Sequence, residues 1–317
     1  MRKVILSALV ILATSNFVNA QDLGSTLGKV AQPYAESYVA PAVNAFGMDL
    51  NSGLFHTAHV GGMLPFGLNL YVGVQVGGAL ISSSDKSFDL TYRGTTQILG
   101  VTDSATFSVT GAPTIFGNKQ AGTLKVTPDN PLFPQDSMST IGGLVNTSIA
   151  PLPIPQLGLG SLFGTDVMVR WLPSIKISNY GKLQLFGWGI RHSISQYIPL
   201  IPVDIAVQLG FQNFSIKDTA GNNVFKASTF AANLEVSKTF AIITLYGGLQ
   251  LESSKVDINY TFTPSGQSPQ SIAFSLDGKN KFRALVGLNL GLGPLTINAD
   301  YSLGSINAVN AGLGITI

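Results

Sequence analysis

From Val203 to Ile317 the chain is a succession of segments with a period of two. Val203, Ile205, Val207, Leu209 and Phe211 alternate with Asp204, Ala206, Gln208, Gly210 and Gln212. The alternation returns in Phe230–Ser237, Ala241–Leu251, Phe282–Leu292, Leu295–Leu303 and Val309–Ile317. Successive side chains of a strand point to opposite faces, so each segment makes a strand with one apolar face and one polar or tiny face. No helical segment separates these strands, which makes their sheet antiparallel.

What covers the apolar face decides the class of protein. Charged residues make up 11% of the chain, against roughly 25% in an ordinary soluble domain. The mean hydropathy is +0.32. A secreted sandwich would also alternate, but its outer face would be richly charged. Here the polar face is mostly Gly, Asn, Gln, Ser and Thr. Beyond the first 20 residues no run of about 18 apolar residues could cross a bilayer as a helix. Lipid cannot satisfy an open sheet edge, so the sheet must close. The expected fold is all-β: a closed antiparallel transmembrane β-barrel of about ten strands (roughly 8–14), with a short N-terminal helical segment.

Residues 1–20 have the form of a signal peptide. Arg2 and Lys3 precede the apolar stretch Val4–Ala13, and Val18-Asn19-Ala20 offers a cleavage site before Gln21. Gln21 stands where a lipoprotein would have Cys. The expected location is a bacterial outer membrane, with its lipid and the barrel-assembly machinery as partners. Without Arg2 and Lys3 the 18 basic residues fall to 16, equal to the 16 acidic ones. Nothing in that balance attracts nucleic acid. The absence of Cys excludes disulfides and thiolate metal sites.

Residues 21–65 are expected to form a plug or a periplasmic segment. Asp22–Phe46 reads as helical, with Pro33 in a first turn and Pro41 limiting or kinking it. Tyr34 and Tyr38, four residues apart, are the plug candidates, placed at the periplasmic mouth. His56 and His59 would hold a metal only on a helix, and Gly53, Gly61 and Gly62 oppose one. No metal or other cofactor is expected. The barrel then takes residues 66–317, its first strand starting at Leu68 and running as far as Tyr92. A Pro-rich loop at 93–151 interrupts it, with short strands at Ala105–Thr110 and Gly122–Thr127; long loops of such barrels face outside. The polar link Pro264–Gln270 separates later strands.

Asp166, Arg170, Asp204, Glu235, Glu252, Arg283 and Asp300 fall on the polar register. They are the candidates for a lumen network and for selectivity. A buried charge without a partner is costly, so acidic and basic members are expected to meet across the interior. No Gly-x-Ser-x-Gly, P-loop or His-Glu-x-x-His occurs. A triad of His192, Ser193 or Ser195, and Asp204 fails because adjacent strand residues face opposite ways. No catalytic residue is expected, and the chain reads as a non-enzyme.

Three runs stand out: Ser52-Gly53-Leu54-Phe55-His56-Thr57-Ala58, Pro155-Gln156-Leu157-Gly158-Leu159-Gly160, and Gly189-Ile190-Arg191-His192-Ser193-Ile194-Ser195-Gln196-Tyr197. Together they resemble a family of bacterial outer-membrane barrels carried as a domain of unknown function, and the likeness covers nearly the whole mature chain. More distantly, the layout is similar to the long-chain fatty-acid transporter family, where an aromatic-Asn-Pro-Ala run precedes the first strand. His56 and Thr57 depart from that run, and no binding residue is carried over. The final alternation Leu313, Ile315, Ile317 resembles the assembly signal of outer-membrane barrels, with Ile317 where an aromatic is usual. These likenesses imply a fold more than a job; the closed sheet, the N-terminal plug candidate and the long loop point to a channel or transporter for small solutes, apolar ones included. The alternative is a non-conducting structural or surface-interaction barrel, filled by its own side chains as narrow barrels are.

Overall fold

The computed structural model describes residues 32–61, 68–98, 101–177, 181–262 and 270–317. The signal peptide expected at 1–20 and most of the link Pro264–Gln270 lie outside them. Among the described residues one helix, α1 (Gln32–Leu50), precedes the strands. The strands are β1 (Asn69–Leu80), β2 (Ser87–Ile98), β3 (Val101–Pro113), β4 (Thr123–Pro128), β5 (Asp136–Ser139), β6 (Ile149–Leu162), β7 (Thr165–Ile177) and β8 (Gly181–Ser193). They continue as β9 (Asp204–Lys217), β10 (Asn223–Phe240), β11 (Ile243–Phe262), β12 (Gln270–Asp277), β13 (Phe282–Leu292), β14 (Leu295–Gly304) and β15 (Ala308–Thr316).

Ten of these close into an antiparallel ring in the order β1, β6, β7, β8, β9, β10, β11, β13, β14, β15 and back to β1. The closing seam pairs β1 with β15 from Tyr71↔Thr316 to Ala79↔Ala308. The eleventh strand of this sheet, β12, lies outside the ring and pairs with the far half of β11, from Lys255↔Asp277 to Phe262↔Gln270. The period of two decides the two faces. In β8 every second residue from Leu183 to Arg191 points inward, and Gln184, Phe186, Trp188 and Ile190 point out. Val207, Leu234, Leu245, Leu288 and Ile297 all lie exposed on the outside. With Leu70, Leu157, Val286 and Leu313 they form an apolar belt around the ring. Such a belt is unfavourable in water and suits hydrocarbon.

The two ends of the ring differ. At the terminal end, Ile317 N–H donates to Leu70 O at 3.0 Å. The tight turns Phe163-Gly164, Ala241-Ile242 and Gly293-Pro294 lie at this end too. The opposite, link end carries the connections over residues 81–148 and 263–281.

The first strand is shorter than the sequence pattern predicts. β1 stops at Leu80, and β2 pairs with β3 in a separate four-stranded sheet, β2-β3-β4-β5. The excursion therefore starts at residue 81, not 93. The alternation persists because β2 also has one buried face, but Phe88, Leu90 and Tyr92 pack on the cluster around α1 and not on the ring.

α1 is a packed element with most of its residues buried, and not a surface helix. It lies inside the sheet at the link end, extends to Leu50 instead of Phe46, and runs through Pro41. Phe46 meets Phe214 and Phe225 at 4.7 and 5.3 Å between ring centroids. Tyr34 and Tyr38 are fully buried. Tyr34 packs edge-on against Phe88 at 5.0 Å, and Tyr38 donates its hydroxyl to Gly142 O at 2.9 Å. Both tyrosines thus sit at the link end under the β2–β5 sheet. The cause is the direction of entry: the helix comes in at the link end, and the chain leaves at the terminal end to begin β1. Tyr38→Phe keeps the packing and strands the Gly142 carbonyl, so it is expected to cost about 1 kcal/mol in urea titrations of the refolded protein. An unchanged midpoint would show that water replaces the bond.

Candidate functional site: a plugged polar lumen

After α1, residues 51–61 thread the rest of the lumen as irregular backbone. A segment without a ladder must find partners for its own N–H and C=O groups. The barrel wall supplies them. Arg170 on β7 donates from Nη1 to Leu50 O at 2.9 Å and from Nη2 to Ser52 O at 2.7 Å. Arg283 on β13 donates from Nη2 to Met48 O and from Nη1 to Ser52 Oγ, both at 2.9 Å. Gln250 reaches Asn51 O at 3.2 Å, and Gln212 donates to Leu50 O. Ser237 Oγ accepts from Ala58 N–H at 2.9 Å. Arg191 on β8 donates to Thr57 O. At the terminal rim, His59 Nδ1 meets Asp204 Oδ1 at 3.2 Å, both partly exposed.

Two arginines at the end of α1 follow from helix physics. The last carbonyls of a helix lack intrahelical partners and carry partial negative charge. That explains Arg170, whose guanidinium meets no carboxylate among the described residues. Its side chain is fully buried and bonds to Gln156 Oε1 at 2.8 Å, Gln212 Oε1 at 3.2 Å and the two carbonyls. The expectation that acids and bases meet across the lumen therefore fails for Arg170, because the helix end serves as its counter-charge. Arg283 does meet an acid, but along the wall: it clasps Glu252 Oε2 on the neighbouring strand β11 with Nε at 3.0 Å and Nη2 at 2.6 Å.

The remaining candidates sort by neighbour. Asp166 pairs with Arg191, and Glu235 Oε2 lies 3.6 Å from Arg191 Nη1. Among the described residues Asp300 has no cationic partner: it accepts from Tyr246 Oη and from Asn310 Nδ2, each at 2.9 Å. Asn310 also joins Gln75, which bonds to Asn298 and Tyr71. Sequence reasoning missed Arg191, Gln75 and Tyr246. Arg191 was legible: it shares the inward register of Leu183, Leu185, Gly187 and Gly189.

The three runs singled out in the sequence converge here. The Ser52–Ala58 run is the threading segment itself. Gly53 adopts φ +62°, and a Cβ there would fall 2.6 Å from Asn310 Oδ1, so only glycine passes this constriction. The second run supplies Gln156 for Arg170. The third supplies Arg191 for Thr57 O.

His192 bonds to Thr165 Oγ1 and Tyr197 Oη, both at 2.9 Å, and Ser193 Oγ to Ser195 Oγ at 3.2 Å. Asp204 is engaged by His59 instead. Among the described residues no group of three or more His, Cys, Asp or Glu could hold a metal ion.

A closed barrel with an apolar outside and a polar inside is the outer-membrane β-barrel fold. The chain matches, over residues 1–317, the family described as Family of unknown function (DUF6588). No curated protein matches it. Among solved structures it is similar to OmpT, an outer membrane protein of Vibrio cholerae in trimer form, at 10% identity, covering 79% of this chain and 99% of that one, TM-score 0.28. It is similar to the β domain of the Bordetella autotransporter BrkA at 10% identity, with 79% and 99% coverage and TM-score 0.28. Ail, the attachment invasion locus protein of Yersinia pestis, is similar at 9% identity, with 79% and 97% coverage and TM-score 0.23.

Proposed function

We propose, for a chain that belongs to the DUF6588 family, an outer-membrane passage for small solutes that the segment Gln32–Gly61 closes from within. One observation carries this reading. The middle of the lumen is occupied by a separate segment held through polar contacts to Arg170, Arg191 and Arg283, while wall pairs such as Arg283–Glu252 and Asp166–Arg191 line it. A lumen closed by a separable segment can open when that segment moves. A segment of helical width, about 10 Å across, leaves a path of that size when it moves. The apolar belt supports placement in a bacterial outer membrane, with lipid and the assembly machinery as partners. No enzymatic role enters this reading.

The passenger fits a polar solute better than the apolar one suggested by the transporter likeness. The apolar part of the interior lies at the link end, where α1 already covers it. That same feature favours a second reading, a non-conducting structural barrel, because α1 is continuous with the apolar cluster there.

Planar-bilayer recordings separate the two. The wild-type protein is expected to show brief openings, and deletion of Gln32–Gly61 to raise its conductance. Ala58→Cys with Ser237→Cys places two thiols where a backbone N–H now meets a hydroxyl at 2.9 Å. Under oxidising conditions this pair should hold the protein shut, and a reductant should restore the openings. Silence in the wild type and in the deletion alike would select the structural reading.

A further inference from the structure

Beneath the threaded segment, at the terminal end of the lumen, lies a cavity of about 280 Å³. Its lining includes His56, Asn69, Asp166, Arg191 and Asn289. Four of its lining residues carry unsatisfied buried atoms. Asp166 Oδ1, Asn289 Oδ1, His56 Nδ1 and Arg191 Nε are all buried atoms without a hydrogen-bond partner. Asp166 and Asn289 are each 8% exposed. Buried polar atoms in folded proteins almost always have partners, so a group of orphans around one cavity points to something that enters it.

The orphans are biased toward acceptance. Asp166 uses its other oxygen for Arg191. Its free Oδ1 lies over Gly160, where a Cβ would fall 1.7 Å from it and 3.2 Å from Asn69 Oδ1. Two acceptor oxygens thus flank a residue with no side chain, and Asn69 spends its Nδ2 on Gly61 O at 2.9 Å. Charge has the same bias. Asp166, Glu235 and Asp204 surround this end of the lumen, and Arg191 is the guanidinium set against them.

We propose that this cavity binds a small organic cation bearing a primary ammonium group, whose N–H donors meet Asp166 Oδ1 and Asn69 Oδ1. A quaternary ammonium has the charge without the donors, and a diol has donors without the charge. Neither satisfies both requirements. The site deepens the passage reading by naming its solute class, and binding is measured apart from conduction.

The test is calorimetric titration of the refolded, full mature chain in detergent micelles at pH 7. The probe is 1,4-diaminobutane, with tetramethylammonium and 1,4-butanediol as comparisons. The diamine is expected to bind at least about tenfold more tightly than either, in keeping with a charge-assisted hydrogen bond. Asp166→Asn should weaken it about tenfold or more. Asn69→Ala, at the half-buried start of β1, should weaken it several-fold and gives an answer even if Asp166→Asn does not fold. Three results overturn the proposal. They are no binding of the diamine, as for a cavity that holds only water; equal binding of tetramethylammonium, as for a diffuse field; and unchanged affinity in Asn69→Ala with Asp166→Asn. Binding by a protein that never conducts would leave the site standing and remove the passage.

Discussion

Replacing Arg283 by Met is expected to lower stability by about 3–5 kcal/mol. Arg283 is fully buried and makes two bonds to Glu252 Oε2, one to Ser52 Oγ and one to Met48 O. Met fills similar space and supplies none of these. Glu252 is then left as a buried carboxylate facing only the amide groups of Gln250 and Asn280. Removing both charges should cost far less than removing one, because the desolvation of Glu252 disappears with its charge. Arg283→Met with Glu252→Gln should therefore recover most of the loss in urea titrations in lipid vesicles. A double variant as unstable as the single one would mean that the arginine acts through the helix end alone. Arg170→Met serves as comparison: it has no carboxylate to strand, so no second substitution of an acid should rescue it.

On the outside, Leu288→Arg is expected to cost about 2–4 kcal/mol if the residue sits at the bilayer midplane. Leu288 is 51% exposed and lies opposite Leu245 on β11 and Ala299 on β14. In water an exposed Leu→Arg change would stay within about 0.5 kcal/mol. The difference between those figures is a measure of what surrounds the belt. Val207 and Leu234, which are directly opposed on β9 and β10, should respond in the same way. Phe163, at a terminal-end turn, should tolerate Arg at a cost of about 0–1 kcal/mol, because the penalty fades toward the interface. If Arg at Leu288 and Leu234 is as harmless as at Phe163, the belt does not face hydrocarbon.

The alternation of polar and apolar residues carried the barrel, its outward belt and most of its inward charges. It did so because a strand's two faces are local information: Leu234 is outward and Glu235 inward by adjacency alone. The limits are equally physical. Phe88, Leu90 and Tyr92 have a strand's period, but a period does not say which sheet the strand joins, so β2 was read as part of β1. Arg191 hid behind the aromatic residues Phe186 and Trp188, whose outward bulk drew attention from the glycines on its own face. The partners of Arg170 are backbone carbonyls far away in the chain, and no side-chain pattern announces them. The course of residues 51–61 has no period at all. Its runs were recognisable as unusual, but only the folded chain shows that Gly53 is small because Asn310 lies against it.

The position of β1 has a consequence for how the molecule is made. β1 and β15 form the last pairing of the ring, and β1 continues directly from the segment that the ring surrounds. The chain thus encloses its own earlier part with its final strand. A ring that closed first would have to draw α1 and the one segment that three arginines hold through a finished hole. If the seam shuts around a segment already laid against β7, β8 and β13, nothing is threaded, and the buried charges are never left facing an empty pore. Assembly of this barrel is then an act of wrapping, in which Gln32–Gly61 serve as the mandrel for the strands.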